Sequence, residues 1–232
     1  MDISIIIQSC DRYEVFWQGL FYYMDKFWDK DIKVPIYFCN ENKIPKTNFI
    51  HIPTGNGTFV ENLKYILNNI NTKYVFYLLE DFWPICPIDK ELFYNLYNFV
   101  EEKNIKGLQI SNYNPYYQLE KTNYKINDQN LLKFCRSSSW RFNFQSRFWE
   151  KDLFLQSLAE PSISEKTISS AISVEVECDK KFSKDTDIYF YHRLWYPMSG
   201  VSYRGSFTTY GKELQNNMLV DLYGKEISKL MN

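Results

Sequence analysis

The amino-acid sequence predicts an α/β fold in which helices flank a mostly parallel central sheet. Compact apolar runs alternate with segments of helical periodicity in the first half of the chain, and this alternation needs crossover connections between parallel strands. Hydrophobic residues make up 45% of the 232 residues, which is enough for a sizeable core. We predict one domain over residues 1–232, with a regular half at 1–111 and a less regular half at 112–232.

The regular half contains four predicted strands and three predicted helices. The strands are residues 3–8, 34–42, 73–84 and 107–111, and the helices are residues 14–28, 58–70 and 88–102. Thr58 and Glu61 form the capping-box pattern that begins the second helix, and Asp89 is the predicted N-cap of the third.

The second half shows weaker patterns, and its predicted elements are shorter. Residues 112–139 are predicted as a loop or short hairpin, 139–149 as a partial strand, 150–158 as a short helix, 164–177 as a helix giving way to extended chain, 187–197 and 200–207 as strands around a Pro-Met-Ser-Gly turn, and 211–231 as a closing helix. This half contains no internal repeat or convincing linker, which is why we predict a single domain.

Composition argues against several classes of protein. The formal net charge of −1 disfavours a broad nucleic-acid-binding surface. The five cysteines never have a CxxC spacing and only two histidines are present, so neither a structural zinc site nor disulfide bonds are expected. The N-terminus does not have the pattern of a signal peptide, and no apolar run approaches the roughly 18 residues of a spanning helix. We therefore expect a cytoplasmic protein without a transmembrane segment; peripheral membrane association is compatible with this.

Polar clusters follow three of the predicted strands. They are Gln8–Arg12, Asn40–Asn42 and Glu80–Asp81. In parallel sheets ligands bind at the carboxyl ends of the strands, so this shared polarity predicts one site at one edge.

Glu80 and Asp81 come directly after a buried apolar run. Two carboxylates at a strand end suit Mg²⁺ or Mn²⁺, which prefer oxygen ligands and often keep waters and substrate phosphates. The alternative is a solvated strand end in which one acid caps a nearby turn.

The order of "QSCDR", the capped helix after "GNGTFVEN" and the acidic pair resembles the nucleotide-sugar-binding half of GT-A-fold glycosyltransferases, particularly small bacterial or viral polysaccharide sugar transferases. The resemblance covers residues 3–84 and is thin beyond about 140. It implies a Rossmann-like sheet, a nucleotide-diphosphate sugar donor, Mn²⁺ or Mg²⁺, and a glycan or lipid-linked acceptor hydroxyl. The motif Leu79-Glu80-Asp81 departs from the usual Asp-x-Asp or Asp-Asp, since Glu replaces one Asp and Phe82 follows.

The resemblance also implies roles for individual residues. Asp81 would bind the metal, with Glu80 turned toward a donor hydroxyl or a water. The nucleotide pocket would be formed by Gln8, Ser9, Asp11, Arg12, Asn40, Phe59 and Asn62. The alternatives are an Asp-Arg pair in a loop for Asp11 and Arg12, and a simple turn before a well-capped helix for the glycine-containing segment 55–62.

An inverting sugar transfer needs a carboxylate base, and the resemblance places it well downstream of the metal motif. Glu175 and Glu177 are the candidates, with Asp179 third; in an extended segment both glutamates share one face, and the sequence does not separate them. An exposed strand face is the alternative. His192 is a candidate late metal ligand or a structural residue, and Arg193 or Arg204 could reach phosphate.

Residues 137–149 offer a candidate acceptor site. Aromatic faces stack on sugar rings and amide or cationic groups bind hydroxyls. The residues concerned are Trp140, Arg141, Asn143 and Gln145. A core Trp and Phe pair is the alternative.

Two rival functions remain open. A sugar nucleotidyltransferase would have a glycine-rich, basic phosphate loop after its first strand, and "SCDRYEVF" has no glycine. A catalytically inactive GT-A-like module would bind a glycan or a partner without turnover. The presence of Glu80 in place of the usual Asp keeps that hypothesis open.

Overall fold

The computed structural model describes residues 1–110, 116–158, 171–191, 198–203 and 205–231, and in the last helix it describes side chains up to Gly224. The predictions for His192, Arg193 and Arg204 therefore lie outside the described residues.

The regular half forms six strands and three helices. The strands are β1 (Ile3–Gln8), β2 (Ile36–Asn40), β3 (Ile50–Pro53), β4 (Tyr74–Leu79), β5 (Phe82–Pro84) and β6 (Gly107–Ile110), and the helices are α1 (Trp17–Phe27), α2 (Phe59–Asn68) and α3 (Lys90–Glu102). A 3₁₀ helix, Asp11–Phe16, precedes α1.

The described part of the second half forms a hairpin, several short strands and three helices. Its strands are β7 (Leu119–Ile126), β8 (Gln129–Phe134), β9 (Arg147–Glu150), β10 (Ile188–Tyr191), β11 (Met198–Gly200), β12 (Ser202–Tyr203) and β13 (Ser206–Phe207), and its helices are α4 (Lys151–Ser157), α5 (Ala171–Lys181) and α6 (Thr209–Met231).

Nine strands form one sheet in the order β3-β2-β1-β4-β9-β6-β10-β8-β7. In this sheet β8 and β9 are antiparallel to their neighbours. The other seven strands, β1 to β4, β6, β7 and β10, point in one direction. Both faces of β4 are buried: Phe76 and Leu78 face one apolar cluster with α1 and α3, and Val75 and Tyr77 face another with α2, α4 and α5. The predicted α/β fold with a mostly parallel sheet is confirmed.

The predicted helix caps are confirmed. Thr58 Oγ1 accepts a hydrogen bond from Glu61 N at 3.2 Å, and Glu61 Oε2 accepts one from Thr58 N at 2.8 Å. Asp89 Oδ1 accepts a hydrogen bond from Leu92 N at 3.0 Å. These bonds satisfy N–H groups that a helix end otherwise leaves unpaired.

The predicted strand 73–84 breaks in two at the acidic pair. β4 ends at Leu79, and β5 leaves the main sheet to pair with β11. Gly19 accommodates this departure, because a Cβ there would lie 2.0 Å from the ring of Trp83. β3 was not predicted, since it is a short edge strand with half-exposed Ile50.

Three predictions in the second half need correction. Residues 171–181 form a helix throughout, so the extended segment that would carry Glu175 and Glu177 on one face is wrong. The apolar side chains that decide this are Val174 and Cys178, four residues apart and both buried. Of the partial strand 139–149 only β9 is regular, and Met198–Gly200 is a strand instead of a turn.

Candidate functional site

The carboxyl ends of β1, β2 and β4 lie side by side. Ser9 N donates to Cys39 O at 2.8 Å, and Glu80 N donates to Gln8 O at 3.2 Å. Parallel pairing continues to the last residue of each strand, so the polar groups that follow them emerge at one edge. The structure thus brings together the three polar clusters that the sequence singled out.

Glu80 is turned into the protein. Its residue is 5% exposed, and its carboxyl is hydrogen-bonded by the Ser9 hydroxyl. Ser9 Oγ also lies 3.3 Å from Cys10 O, and its single hydrogen can serve only one acceptor at a time. Trp17 Nε1 donates to Ser9 Oγ at 2.7 Å, which fixes the hydroxyl. Burial, followed by the neighbouring charge of Asp81, raises the pKa of Glu80 well above its ordinary value.

The two carboxylate oxygens of Asp81 differ in their contacts with the described residues. Oδ2 accepts a hydrogen bond from Ser202 Oγ at 2.5 Å. Oδ1 is buried and has no hydrogen-bond partner among the described residues. Burial raises the pKa of Asp81 although the Ser202 bond acts to lower it. A buried carboxylate oxygen without a donor is costly, and a cation is one group that would satisfy it.

The carboxylate oxygens of the acidic pair suit a hard cation whose other ligands come from the substrate or from water. No group of three or more His, Cys, Asp or Glu side chains suited to a metal occurs in the part of the chain that the structure describes. A cation held by this pair would take one or two carboxylates from it, and phosphate and water are the ligands that could complete its coordination. This is the coordination that Mg²⁺ typically has in nucleotide-dependent enzymes.

Gln8 joins three elements beneath the site. Its Oε1 accepts a hydrogen bond from Tyr77 Oη at 2.7 Å, and its Nε2 donates to Phe59 O at 3.2 Å. Gln8 is 2% exposed. Its amide therefore ties the end of β1 to β4 and to the first residue of α2.

Asp11 organises the loop after β2. Its Oδ1 accepts a hydrogen bond from Asn40 Nδ2 at 2.7 Å, and its carboxylate accepts from the backbone N–H groups of Asn42 and Lys43. Burial acts to raise the pKa of Asp11, but these hydrogen bonds outweigh it and lower the pKa. The side-chain oxygen of Asn40, Oδ1, lies 2.8 Å from His51 Nε2. Asp11 and Asn40 thus shape the loop through bonds within the protein.

Arg12 differs from Gln8, Ser9 and Asp11 because its side chain is exposed. Its guanidinium carbon lies 6.0 Å from the centre of the Tyr13 ring, and no carboxylate pairs with it among the described residues. Arg12 is therefore a cation at the site's edge that a phosphate could pair with.

Phe59 and Asn62 lie on the first turn of α2. The Phe59 ring is 4.9 Å from that of Phe144, centre to centre. Asn62 is buried, and its Nδ2 donates to Gly57 O at 3.4 Å. A Cβ at position 57 would lie 2.4 Å from Asn62 Oδ1, so the glycine permits this close approach.

Helix α5 binds the segment that precedes β9. Glu175 Oε1 accepts a hydrogen bond from Phe144 N at 2.5 Å. One helical turn later, Asp179 accepts hydrogen bonds from Trp140 N and Phe142 N, both at 2.8 Å. Burial raises the pKa of Glu175 to about 7, against the opposing effects of the Phe144 N–H and the charge of Arg147.

Glu177 has a different environment from Glu175. Its Oε1 forms an ion pair with Lys180 Nζ at 2.6 Å, and the lysine side chain is largely exposed. The structure therefore separates the two glutamates that the sequence could not.

Most of the candidate acceptor residues already form hydrogen bonds or packing contacts within the protein. Arg141 is buried and donates to Ser183 O and Thr186 O. Asn143 Nδ2 donates to Gln109 Oε1 at 3.0 Å and to Trp140 O at 2.8 Å. Trp140 packs partly buried against the core with a φ of 63°, and Gln145 is only partly buried.

Two important residues were not predicted from the sequence. Arg147 is completely buried, donates to Arg141 O at 2.7 Å and to Gln109 Oε1, and lies 4.5 Å over the Trp149 ring. Burial lowers its pKa to about 9. A charged residue directly before the aromatic pair Phe148-Trp149 was the available signal. Ser202 gave no signal, because it lies in a two-residue strand.

No protein-family model and no curated protein matches the chain. Solved structures do match. S. aureus TarS aligns at 12% identity and a TM-score of 0.56, over 96% of this chain and 40% of TarS; its 1–349 fragment in complex with UDP aligns equally well, with 65% of that chain covered. The mannosyltransferase PcManGT from Pyrobaculum calidifontis, in complex with GDP-Man and Mn²⁺, aligns at 9% identity and a TM-score of 0.52, over 97% of this chain and 64% of that one.

These likenesses establish a GT-A-like fold for the chain, as the sequence predicted. The chain spans only 40% to 65% of the length of these three aligned chains. A CMP-2-keto-3-deoxy-manno-octonic acid synthetase complexed with CTP aligns less well, at 11% identity and a TM-score of 0.49. Within the described residues, no helix has both the length and the apolar character needed to cross a bilayer.

Proposed function

We propose that the chain is a glycosyltransferase that moves a sugar from a nucleotide-diphosphate sugar to a hydroxyl of a glycan or lipid-linked acceptor, with Mn²⁺ or Mg²⁺. The observation that carries this proposal is the acidic pair at the end of β4 in a GT-A-like fold, where Asp81 Oδ1 is buried and has no donor among the described residues. TarS was solved with UDP and PcManGT with GDP-Man and Mn²⁺, which supports a nucleotide sugar and a divalent cation.

Asp81 is the proposed metal ligand. A divalent cation bound there would neutralise the diphosphate leaving group. Glu80 is the less accessible acid, and its hydrogen bond to Ser9 supports a role in shaping the pocket beside the donor. His192 stays a proposed late ligand on the sequence resemblance alone.

The nucleotide pocket is proposed at the ends of β1 and β2 and the start of α2. Arg12 is exposed and would pair with phosphate, and the Phe59 ring and Asn62 amide would lie beside the base and ribose. Gln8, Ser9, Asp11 and Asn40 make bonds within the protein, so their support for the nucleotide would come through the shape of the loops that they hold.

Glu175 is the stronger candidate for the base in an inverting transfer. Burial raises its pKa to about 7, which suits proton transfer near neutral pH. Its partner Phe144 packs against Phe59 on the proposed nucleotide helix. Glu177 is already paired with Lys180, which disfavours it.

The test is a panel of UDP- and GDP-sugars incubated with the purified chain and Mn²⁺, with EDTA as the control. A glycosyltransferase should bind at least one donor in a metal-dependent manner and slowly release its nucleoside diphosphate. Metal-dependent binding without any turnover would favour the inactive module. Formation of a nucleotide sugar from a nucleoside triphosphate and a sugar phosphate would favour nucleotidyl transfer. The proposal fails if no donor binds with Mn²⁺ present.

A further inference from the structure

A C-terminal segment contacts β5 and Asp81. We call residues 198–203 and 205–208 the docking segment. Its strand β11 pairs antiparallel with β5, with Gly200 opposite Phe82. Val201 N then donates to Asp81 O at 2.8 Å, and Val201 is completely buried. The backbone of Asp81 is thus held in register by the segment that carries Ser202.

The docking segment is itself fixed at several points. The Phe207 ring lies 4.7 Å from that of Phe16 and 5.8 Å from that of Trp83. Thr208 N donates to Val201 O at 2.9 Å. A Cβ at Gly211 would lie 2.2 Å from the same carbonyl oxygen, so α6 begins in close contact with the segment. These contacts leave Ser202 little freedom to drift away from Asp81.

The Ser202 hydroxyl makes an asymmetric contact with the carboxylate. It donates to Oδ2 at 2.5 Å, while Oδ1 has no donor among the described residues. One oxygen is therefore engaged by the protein and the other remains for a cation. Carboxylates that ligate metals are commonly held in this way by an outer hydrogen bond, which fixes their rotation.

We propose that Ser202 is a positioning residue that orients Asp81 so that Oδ1 is the oxygen presented to the divalent cation. This inference rests on the proposed function, since it assigns a partner to the metal ligand of that site. It also assigns the docking segment, which the sequence predicted only as a turn and a strand, to the proposed metal site.

The variants that test this differ in the hydroxyl and little else. Ser202→Ala removes the donor. Ser202→Thr keeps a hydroxyl, and Ser202→Val has nearly the shape of threonine without one, so this pair remains informative if the smaller alanine loosens the segment. Ser206→Ala is the matched control, because Ser206 is an exposed serine in the same hairpin.

The measurement is calorimetric titration of each full-length variant with Mn²⁺ in the presence of UDP or GDP, together with thermal unfolding without metal. We expect Mn²⁺ affinity to fall about 10-fold in Ser202→Ala and Ser202→Val, the size typical of lost outer-shell partners. Ser202→Thr should stay within about 3-fold of the wild type, and Ser206→Ala should be unchanged. Raising Mn²⁺ to saturation should restore nucleotide binding in the two weakened variants.

Two results overturn the inference, and they can be told apart. If the wild type binds Mn²⁺ and nucleotide while Ser202→Ala and Ser202→Val bind Mn²⁺ equally well, Ser202 only stabilises the docking segment, and a lower unfolding temperature would report that role. If the wild type itself shows no metal-dependent nucleotide binding, the proposed function fails and this inference fails with it.

Discussion

The two halves of the chain use their polar side chains in different ways. At the ends of β1 and β4, Asp81 keeps a carboxylate oxygen without a donor and Arg12 keeps an exposed guanidinium without a carboxylate, within the described residues. In the second half, Arg141 and Asp179 bind backbone groups, and Asn143 binds Trp140 O and the Gln109 side chain of the first half. Although the Nε–H of Arg141 lacks a partner among the described residues, its two terminal nitrogens donate to carbonyls. Similar residue types thus include groups available to a ligand in one region and hold the framework in the other.

Glu175 is the residue that could break this comparison, because it holds the Phe144 backbone and is also the proposed base. Glu175→Gln should lower turnover about 10²–10⁴-fold while donor affinity stays nearly unchanged, since a general base acts only in the chemical step. Steady-state kinetics and donor titration on Glu175→Gln, with Glu177→Gln alongside, measure this. Unchanged turnover in Glu175→Gln would leave Glu175 in the framework, and a loss confined to Glu177→Gln would move the base there.

Asp81→Asn tests the same comparison at the proposed metal ligand. The amide cannot replace the carboxylate charge at the metal, so Mn²⁺-dependent donor affinity should fall more than ~100-fold, beyond what outer-shell partners contribute. Stability should change little, because the amide oxygen can still accept from Ser202 and the buried charge is gone. Donor titration and thermal unfolding give both quantities. The control is Asp185→Asn, whose carboxylate lies in an exposed ion pair with Arg136. A large loss of stability with intact donor affinity would make Asp81 structural.

Asp179→Ala should have the opposite profile. It leaves the N–H groups of Trp140 and Phe142 without their acceptor, and each such loss costs about 1–3 kcal/mol. The free energy of unfolding, from urea titration, should therefore fall by roughly 2–6 kcal/mol, with donor affinity retained in the folded fraction. Asp185→Ala, the exposed counterpart, should stay within about 0.5 kcal/mol of the wild type. Equal stability of the two variants would show that α5 does not hold this segment.

The pH dependence of stability gives the finest comparison. The folded-state pKa of Glu175 is raised to about 7 from its ordinary value of 4.5, so the folded state holds this proton more tightly. Its contribution to stability is complete below about pH 4.5 and is lost as the pH rises through about 7. The free energy of unfolding of the wild type relative to Glu175→Gln should thus fall by roughly 3 kcal/mol across that window.

Glu177→Gln is the control for this measurement, because Glu177 lies on the same helix and its carboxylate is paired with the exposed Lys180. Its difference from the wild type should stay within about 1 kcal/mol, well below the change expected for Glu175→Gln. A flat difference for Glu175→Gln as well would mean that its carboxyl is not buried in solution.

The sequence predicted the donor-side fold well because local signals decide it there. Continuous apolar runs of the kind seen in β1 and β4 have few alternatives to a doubly covered parallel strand, and the Thr58 and Glu61 pair determines where α2 begins. The polar clusters could be placed together without any contact information, because parallel strands end at one edge. β3 escaped prediction since its short run, with Ile50 half-exposed, carries little hydrophobic signal.

Long-range contacts decide the second half, so its sequence was less informative. The alternation Val-Glu-Val-Glu favours a strand locally, yet α5 forms because its buried face and its two carboxylates match the segment 140–144. The candidate acceptor residues were chosen by type, and only the structure shows that Arg141 and Asn143 are already committed to partners. The link from Ser202 to Asp81 spans 121 residues, and no local pattern announces it.

The position of β9 has a consequence for how the protein is made. β9 lies between β4 and β6, and no direct ladder joins these two strands. While the ribosome is still adding residues 111 to 146, β4 has an open edge and β6 has no neighbour to pair with. We therefore expect the nascent chain to stay incompletely folded until β9 has left the exit tunnel, and a fragment ending near residue 110 to be prone to aggregation. The two halves are interleaved in the sheet, so neither is expected to mature ahead of the other.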